Sequence, residues 1–284
     1  VTHRLPTIAS FWFGSDLSWL EQLCIQSFLD QGHAFDLYLS HEVQGIPAGV
    51  HTRPASAIFW PPPYPLQPGD RQGVAVFSDI FRLHLMRQSD TIWVDLDAYC
   101  VRAFRSFSDW VFAHSKTNDF PTGVLRLPQN SQTLALMLDF VMSANPTQPW
   151  RGRQVRRHNR ERIAKGESWG IESLPWGSSG PKAFGHFLRQ TGEDSHAMAA
   201  KSLYPLAPAE LWKLHDPNVV PDEIEGEATH SVHVYGHQKK LLAIQLAGLP
   251  VPGSYLDTLC TRHGIDPRAA PIKPLDWMRP APRV

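Results

Sequence analysis

Asp95 and Asp97 close the run Thr91-Ile92-Trp93-Val94-Asp95-Leu96-Asp97, with one residue between them. A β-branched and aromatic stretch of this length predicts a short buried strand. The two carboxylates then stand where that strand emerges, and two acids so placed call for a cation. Carboxylate oxygens are hard ligands suited to magnesium or manganese, ions that keep positions open for substrate phosphates. The plain alternative is a pair of solvated turn or capping aspartates.

Three histidines offer a further ligand. His233 and His237 are four residues apart, a zinc spacing if both lie on one helical face, but residues 231–235 alternate like a strand, so a self-contained zinc site is disfavoured. One histidine at a strand end could instead complete a site built by Asp95 and Asp97, since imidazole is an acceptable manganese ligand. The alternative is an ordinary structural histidine. Asp79 and Arg82, three apart, share a face of the helix that leads into the diaspartate strand. They are either a surface ion pair worth under about 1 kcal/mol or a carboxylate and guanidinium that hydrogen-bond sugar hydroxyls beside a metal.

No Ser/Cys-His-acid order, no G-x-G-x-x-G after the first strand and no P-loop occurs, which excludes dehydrogenases and P-loop kinases. The haloacid-dehalogenase-like phosphatases also end an apolar strand in D-x-D, and they compete for the motif. They normally place Thr or Val two residues after the second Asp. Here that residue is Tyr99, and no acidic pair ends a later strand to hold magnesium.

The elements that must position these groups follow from pattern. Residues 7–13 predict a first strand and Gly14-Ser15-Asp16 a turn. Ser18 and Glu21 have capping-box spacing, and Leu17, Leu20, Cys24 and Phe28 share a helical face. Residues 34–40 predict a second strand, giving a β-α-β unit with parallel pairing. From 42 to 73, Pro47, Pro54, Pro61, Pro62, Pro63, Pro65 and Pro68 exclude a regular helix or central strand, leaving a long ordered loop or edge excursion. A helix over 74–87 feeds the diaspartate strand. Residues 99–104 continue extended, 110–114 and 122–127 predict short strands, and 131–143 a helix ended by Asn145-Pro146.

The basic stretch from Arg151 to Arg160 has no apolar face and is expected to be a solvated, mobile loop, or else a docking patch for phosphate or an anionic surface. It lacks the aromatic interleaving of a single-strand nucleic-acid platform. Trp176-Gly177-Ser178-Ser179-Gly180-Pro181 leads into a helix over 182–189 and is either a phosphate-binding N-terminus or a plain turn. A late strand over 230–235, a helix over 238–247, a short helix over 255–262 and a proline-rich tail complete the chain.

Composition bounds these readings. The chain has 284 residues, 42% of them hydrophobic, and its 27 basic and 27 acidic side chains cancel, so the overall balance does not ask for nucleic acid. Cys24, Cys100 and Cys260 form no C-x-x-C pair, which points to a reducing compartment and against a disulfide framework. No stretch approaches a bilayer span, and no secretory leader is evident at the N-terminus.

Taken together the segments resemble the retaining glycosyltransferases with a DxD sugar-binding region: family 32 enzymes, α-1,4-glycosyltransferases and, more distantly, the clostridial glucosylating toxins. Ser10-Phe11-Trp12-Phe13-Gly14 looks like the opening strand of that group, and Leu17-Ser18-Trp19-Leu20-Glu21 with Ser27-Phe28 its first helix. Ser78-Asp79-Ile80-Phe81-Arg82 looks like its S-D-x-x-R helix, Asp79 stands sixteen positions before Asp95 as in the family, and His233-Val234-Tyr235 resembles a late H-hydrophobic-aromatic segment. Two departures stand out. Gln88-Ser89-Asp90-Thr91 replaces a usual Gly pair, and Gly236 replaces a usual Asn.

The resemblance implies an α/β, GT-A-like single domain over 1–284 with a Rossmann-like mixed sheet flanked by helices. Residues 1–103 would form the nucleotide-sugar-binding half and 104–284 the acceptor side with the C-terminal metal-ligand segment. It implies Mn2+ or Mg2+ held by Asp95, Asp97 and His233, with catalysis centred on Asp95 and Asp97. Trp12 would lie at the uracil, Asp95 also at the ribose, and Asp79 with Arg82 at the transferred sugar. The expected partners are a UDP-sugar donor and a glycan or glycolipid acceptor, with no nucleic acid. The expected setting is cytoplasmic, with peripheral contact at the inner membrane through Arg151 to Arg160.

Overall fold

Four successive buried residues, Ile8 to Phe11, begin β1 (Ile8–Trp12), the burial expected of a parallel strand covered on both faces. A computed structural model describes residues 5–67, 69–105 and 108–275. α1 (Trp19–Asp30) follows, its start held by Glu21, whose carboxylate accepts the Ser18 backbone N–H at 2.8 Å. β2 (Phe35–Leu39) then pairs in parallel with β1, Ile8 opposite Phe35, completing the β-α-β unit.

The proline-rich segment contains one strand that pattern did not foresee. β3 (Val50–Pro54) lies parallel to β2, at the sheet edge, where a proline costs no ladder bond on its open side. Its side chains are mostly exposed, so it carries no apolar signature. α2 (Arg71–Gln88), capped by Asp70 through the Gly73 N–H at 2.8 Å, delivers the chain into β4 (Ile92–Val94), which is parallel to β1.

β5 (Ala98–Cys100) leaves this sheet, while β6 (Val124–Leu125) joins it antiparallel to β4. Residues 110–114 make only isolated bridges, Val111 to Arg126 and Ala113 to Met198, in place of the full strand expected there. The helices α3 (Gln132–Met142), α4 (Arg153–Ala164), α5 (Pro181–Thr191) and α6 (Ala200–Leu203) precede β7 (Ser231–His233), with α7 (Gln238–Gln245) and α8 (Tyr255–Arg262) after it. The main sheet runs β3-β2-β1-β4-β6 and is parallel except for β6; β5 and β7 form a separate two-stranded ribbon.

Helices flank the main sheet on both faces, giving the mixed α/β architecture expected. Ile25 and Phe28 of α1 pack with Phe35, Leu37 and Ile92 on one face. Phe77 and Phe81 of α2 pack on Phe11 and Trp93 on the other, with Phe11 and Phe81 stacked at 4.9 Å.

The expected loop from Arg151 to Arg160 is corrected: most of it is the helix α4. Arg, Gln, Glu and Ala are good helix formers, Arg157 and Glu161 pair one turn apart at 3.6 Å, and Asn159 is buried and donates to Thr147 at 3.2 Å. Local propensity and one polar anchor suffice where an apolar stripe is missing. Pro68 and the tail beyond residue 275 lie outside the described residues. Among the described residues no helix is long and apolar enough to cross a membrane.

Candidate metal centre

β4 ends at Val94, and the next residue is tied on both sides. The Asp95 N–H donates to the Gly123 carbonyl at 2.7 Å, and the Ala98 N–H donates back to the Asp95 carbonyl at 3.0 Å, closing a tight turn that presents Asp95 and Asp97. The chain then enters the ribbon. Antiparallel pairing sets Ala98 opposite His233, and the Val234 N–H donates to the Asp97 carbonyl at 2.8 Å. This register brings residues 136 positions apart together: one ligand atom each from Asp95, Asp97 and His233 lie within 4.8 Å of one another, with His233 Nε2 3.4 Å from Asp97 Oδ1.

The donor set fits a hard divalent cation on an observation of its own. Asp97 Oδ1 and His233 Nδ1 are buried and have no hydrogen-bond partner, against the general rule that buried polar atoms are paired. Burial pushes the Asp97 carboxyl above its ordinary value, and His233 offsets part of that. Two carboxylates and an imidazole suit manganese or magnesium. Gly123 leaves the necessary room. A Cβ there would stand 2.5 Å from His233 Cε1 and 3.2 Å from Asp95 Oδ2.

Asp95 uses its other oxygen for protein contacts. Trp93 Nε1 donates to Oδ1 at 2.8 Å, and an Arg82 terminal nitrogen lies 3.1 Å from it. The same nitrogen is 3.3 Å from Asp79, the other donates to the Thr122 carbonyl at 2.5 Å, and the guanidinium lies 4.8 Å from the Trp93 ring centre. Arg82 is 5% exposed, so the surface ion-pair alternative is excluded. It is a buried bridge between two acids. Burial raises the Asp79 carboxyl, which Arg82 and a 2.6 Å bond from Ser179 Oγ counter. The loop before α5 thus faces a carboxylate, and a Cβ on Gly180 would come within 2.8 Å of Asp79.

Trp12, at the end of β1, has a buried indole N–H without a partner. Lys239 lies over its ring at 5.3 Å and pairs with buried Glu21. Burial pulls the Lys239 ammonium down to about 8. Sequence reasoning passed over this lysine, although Glu21, buried by the capping turn, would have called for a cation. Tyr235 was noted only as part of a motif. It holds φ +65°, unusual for an aromatic residue, and this turn sets its ring edge-on to His233 at 4.4 Å. The remaining histidines stay out of the cluster. His230 packs near Phe104, and exposed His237 begins α7.

No family model matches the chain, and no curated protein does. Among solved structures it is similar to a chain described as "PaToxG Glycosyltransferase", at 15% identity and a TM-score of 0.43, over 66% of this chain and 70% of that one.

Proposed function

We propose that the protein is a metal-dependent glycosyltransferase that moves a sugar from a nucleotide sugar, a UDP-sugar in this reading, to a glycan or glycolipid headgroup with retention of configuration. The supporting observation is the sharing of Asp95 between two groups of residues: the Asp97 and His233 cluster on one side, and the buried Arg82 and Asp79 bridge on the other. A nucleotide sugar has the matching order of parts, a diphosphate between a nucleoside and a hydroxyl-rich ring.

In this reading Asp95, Asp97 and His233 hold Mn2+ or Mg2+, which when bound neutralises charge on the departing diphosphate. Trp12 offers a ring and an unpaired N–H to the base. Lys239, still largely protonated at neutral pH, exchanges Glu21 for a phosphate oxygen. Asp79 accepts hydrogen bonds from sugar hydroxyls, and Arg82 holds Asp79 and Asp95 in register. Residues 1–103 would serve the donor and 104–284 the acceptor, with His233 reaching back.

The test is manganese-dependent binding and slow hydrolysis across a panel of nucleotide sugars. We expect one donor to bind, Asp97→Ala to abolish that binding and His233→Ala to weaken the metal. Absence of donor binding by the wild type under any divalent metal would sink the reading.

A second reading concerns α4, whose arginines are largely exposed on an ordered helix. It would dock the protein peripherally on an anionic membrane carrying the acceptor, each exposed arginine contributing about 1 kcal/mol near the surface. Negligible, salt-insensitive binding to phosphatidylserine liposomes would exclude it.

A further inference from the structure

Among the described residues two tryptophans are about half exposed, Trp176 at 51% and Trp212 at 55%, and Trp176 belongs to the loop that contacts Asp79. Trp212 lies in a 3-10 helix over residues 208–214, whose Leu211 and Leu214 are buried against α8 and neighbouring residues. Trp176 opens the loop that ends at Asp79. Three residues on, Ser179 donates to Asp79, and Gly180 approaches the same carboxylate so closely that no side chain would fit.

Trp176 also meets the start of α2. The Arg71 guanidinium, at the start of α2, lies 4.5 Å from the centre of the indole ring. Lys182 donates to the Trp176 carbonyl at 3.0 Å, fixing the loop against the first turn of α5. The indole thus has one cation–π partner and its backbone one bond to α5, while about half of the residue's surface stays in water.

The exposed ring of Trp176 belongs to a loop that is bonded to Asp79 through Ser179. Its flat apolar face matches the face of axial C–H groups on a pyranose ring, while the sugar's hydroxyls remain in water or reach charged neighbours. The Arg71 guanidinium is such a neighbour. We propose that Trp176, with Arg71, forms a subsite for a glycan acceptor, one pyranose ring stacking on the indole next to the loop that bonds Asp79. This rests on the glycosyltransferase reading, since a stacked sugar there becomes useful only if Asp79 holds a second one. The occupant is a neutral sugar ring in a glycan, and stacking supplies the recognition.

The experiment pairs two readouts on the full chain. Saturation-transfer NMR with a panel of methyl disaccharide glycosides, in the presence of manganese and UDP, reports acceptor binding. Manganese-dependent hydrolysis of the nucleotide-sugar panel without acceptor reports the donor site. Trp176→Ala should weaken glycoside binding by about fivefold to tenfold, the usual worth of an aromatic contact, and leave donor hydrolysis within about threefold. Trp176→Phe should recover most of the loss, and Trp212→Ala should change neither readout. Unchanged glycoside binding in Trp176→Ala, or a wild type that hydrolyses donor but binds no glycoside, would overturn the subsite alone. A wild type that neither binds nor hydrolyses any donor would overturn the glycosyltransferase reading and the subsite with it.

Discussion

Gly123 lies against His233 so closely that a methyl group on it would stand 2.5 Å from the imidazole Cε1 and 3.0 Å from Nδ1. The carbonyl of Gly123 also receives the Asp95 N–H, so one residue without a side chain borders two members of the cluster and anchors one of them. Glycine is the residue that permits such an approach. Gly123→Ala should displace His233 and lower manganese affinity by about tenfold or more, the range seen when groups supporting metal ligands are disturbed. Manganese titration followed by electron paramagnetic resonance measures this directly; unchanged affinity would show that His233 does not bind the ion.

Asp97 makes a pH-dependent prediction in the metal-free protein. Its folded carboxyl is raised by burial above the ordinary value of 3.8, so between those two values the folded state binds more protons than the unfolded one. Stability tied to Asp97 is therefore lost as pH rises through that window. Asp97→Asn removes the effect, and in EDTA its Tm should exceed that of the wild type by a margin that widens from pH 4 to pH 8. Saturating manganese should reverse the order by stabilising the wild type alone. A margin independent of pH would contradict the account.

Arg82 bridges Asp79, Asp95 and the Thr122 carbonyl from a buried position. Arg82→Ala strands two carboxylates, one of them buried, and should cost about 3–5 kcal/mol in urea unfolding. Arg82→Lys should cost less but still disturb donor binding, because a single ammonium cannot span the fork. A loss below about 1 kcal/mol in the alanine variant would mean that water replaces the guanidinium at both acids.

Tyr235 separates stability from function. Its left-handed backbone costs on the order of 1–2 kcal/mol relative to glycine, whereas its ring supports His233. Tyr235→Gly should leave Tm unchanged or raised while weakening manganese binding several-fold. If both fall together, the ring is a packing element and nothing more.

Much of the scaffold was legible in sequence because period and punctuation are local. The β-α-β opening needed only the short strand-like run around Ile8, the Ser18 and Glu21 spacing and a second such run over 34–40. α2 and the diaspartate strand followed from the apolar residues between Phe77 and Val94. β3 was not legible, because an exposed edge strand buries no alternating face, and neither was α4, whose helix rests on propensity and Asn159 in place of an apolar stripe.

For the candidate centre, sequence by itself determined the ligand types and their order: Asp95 and Asp97 at a strand end, Asp79 and Arg82 on one helical face, and a histidine in a late strand. The resemblance had already named His233, and tertiary structure supplied the contact. Only the ribbon register that sets Ala98 opposite His233 brings an imidazole to Asp97, and no local pattern specifies a pairing between residues more than 130 apart. The fold also turned the Asp79 and Arg82 pair from a surface contact into a buried bridge, recruited Gly123 and Tyr235 around His233, and brought Lys239 to Trp12. Each depends on burial and on long-range contacts, which exist only once the two halves of the chain have packed together.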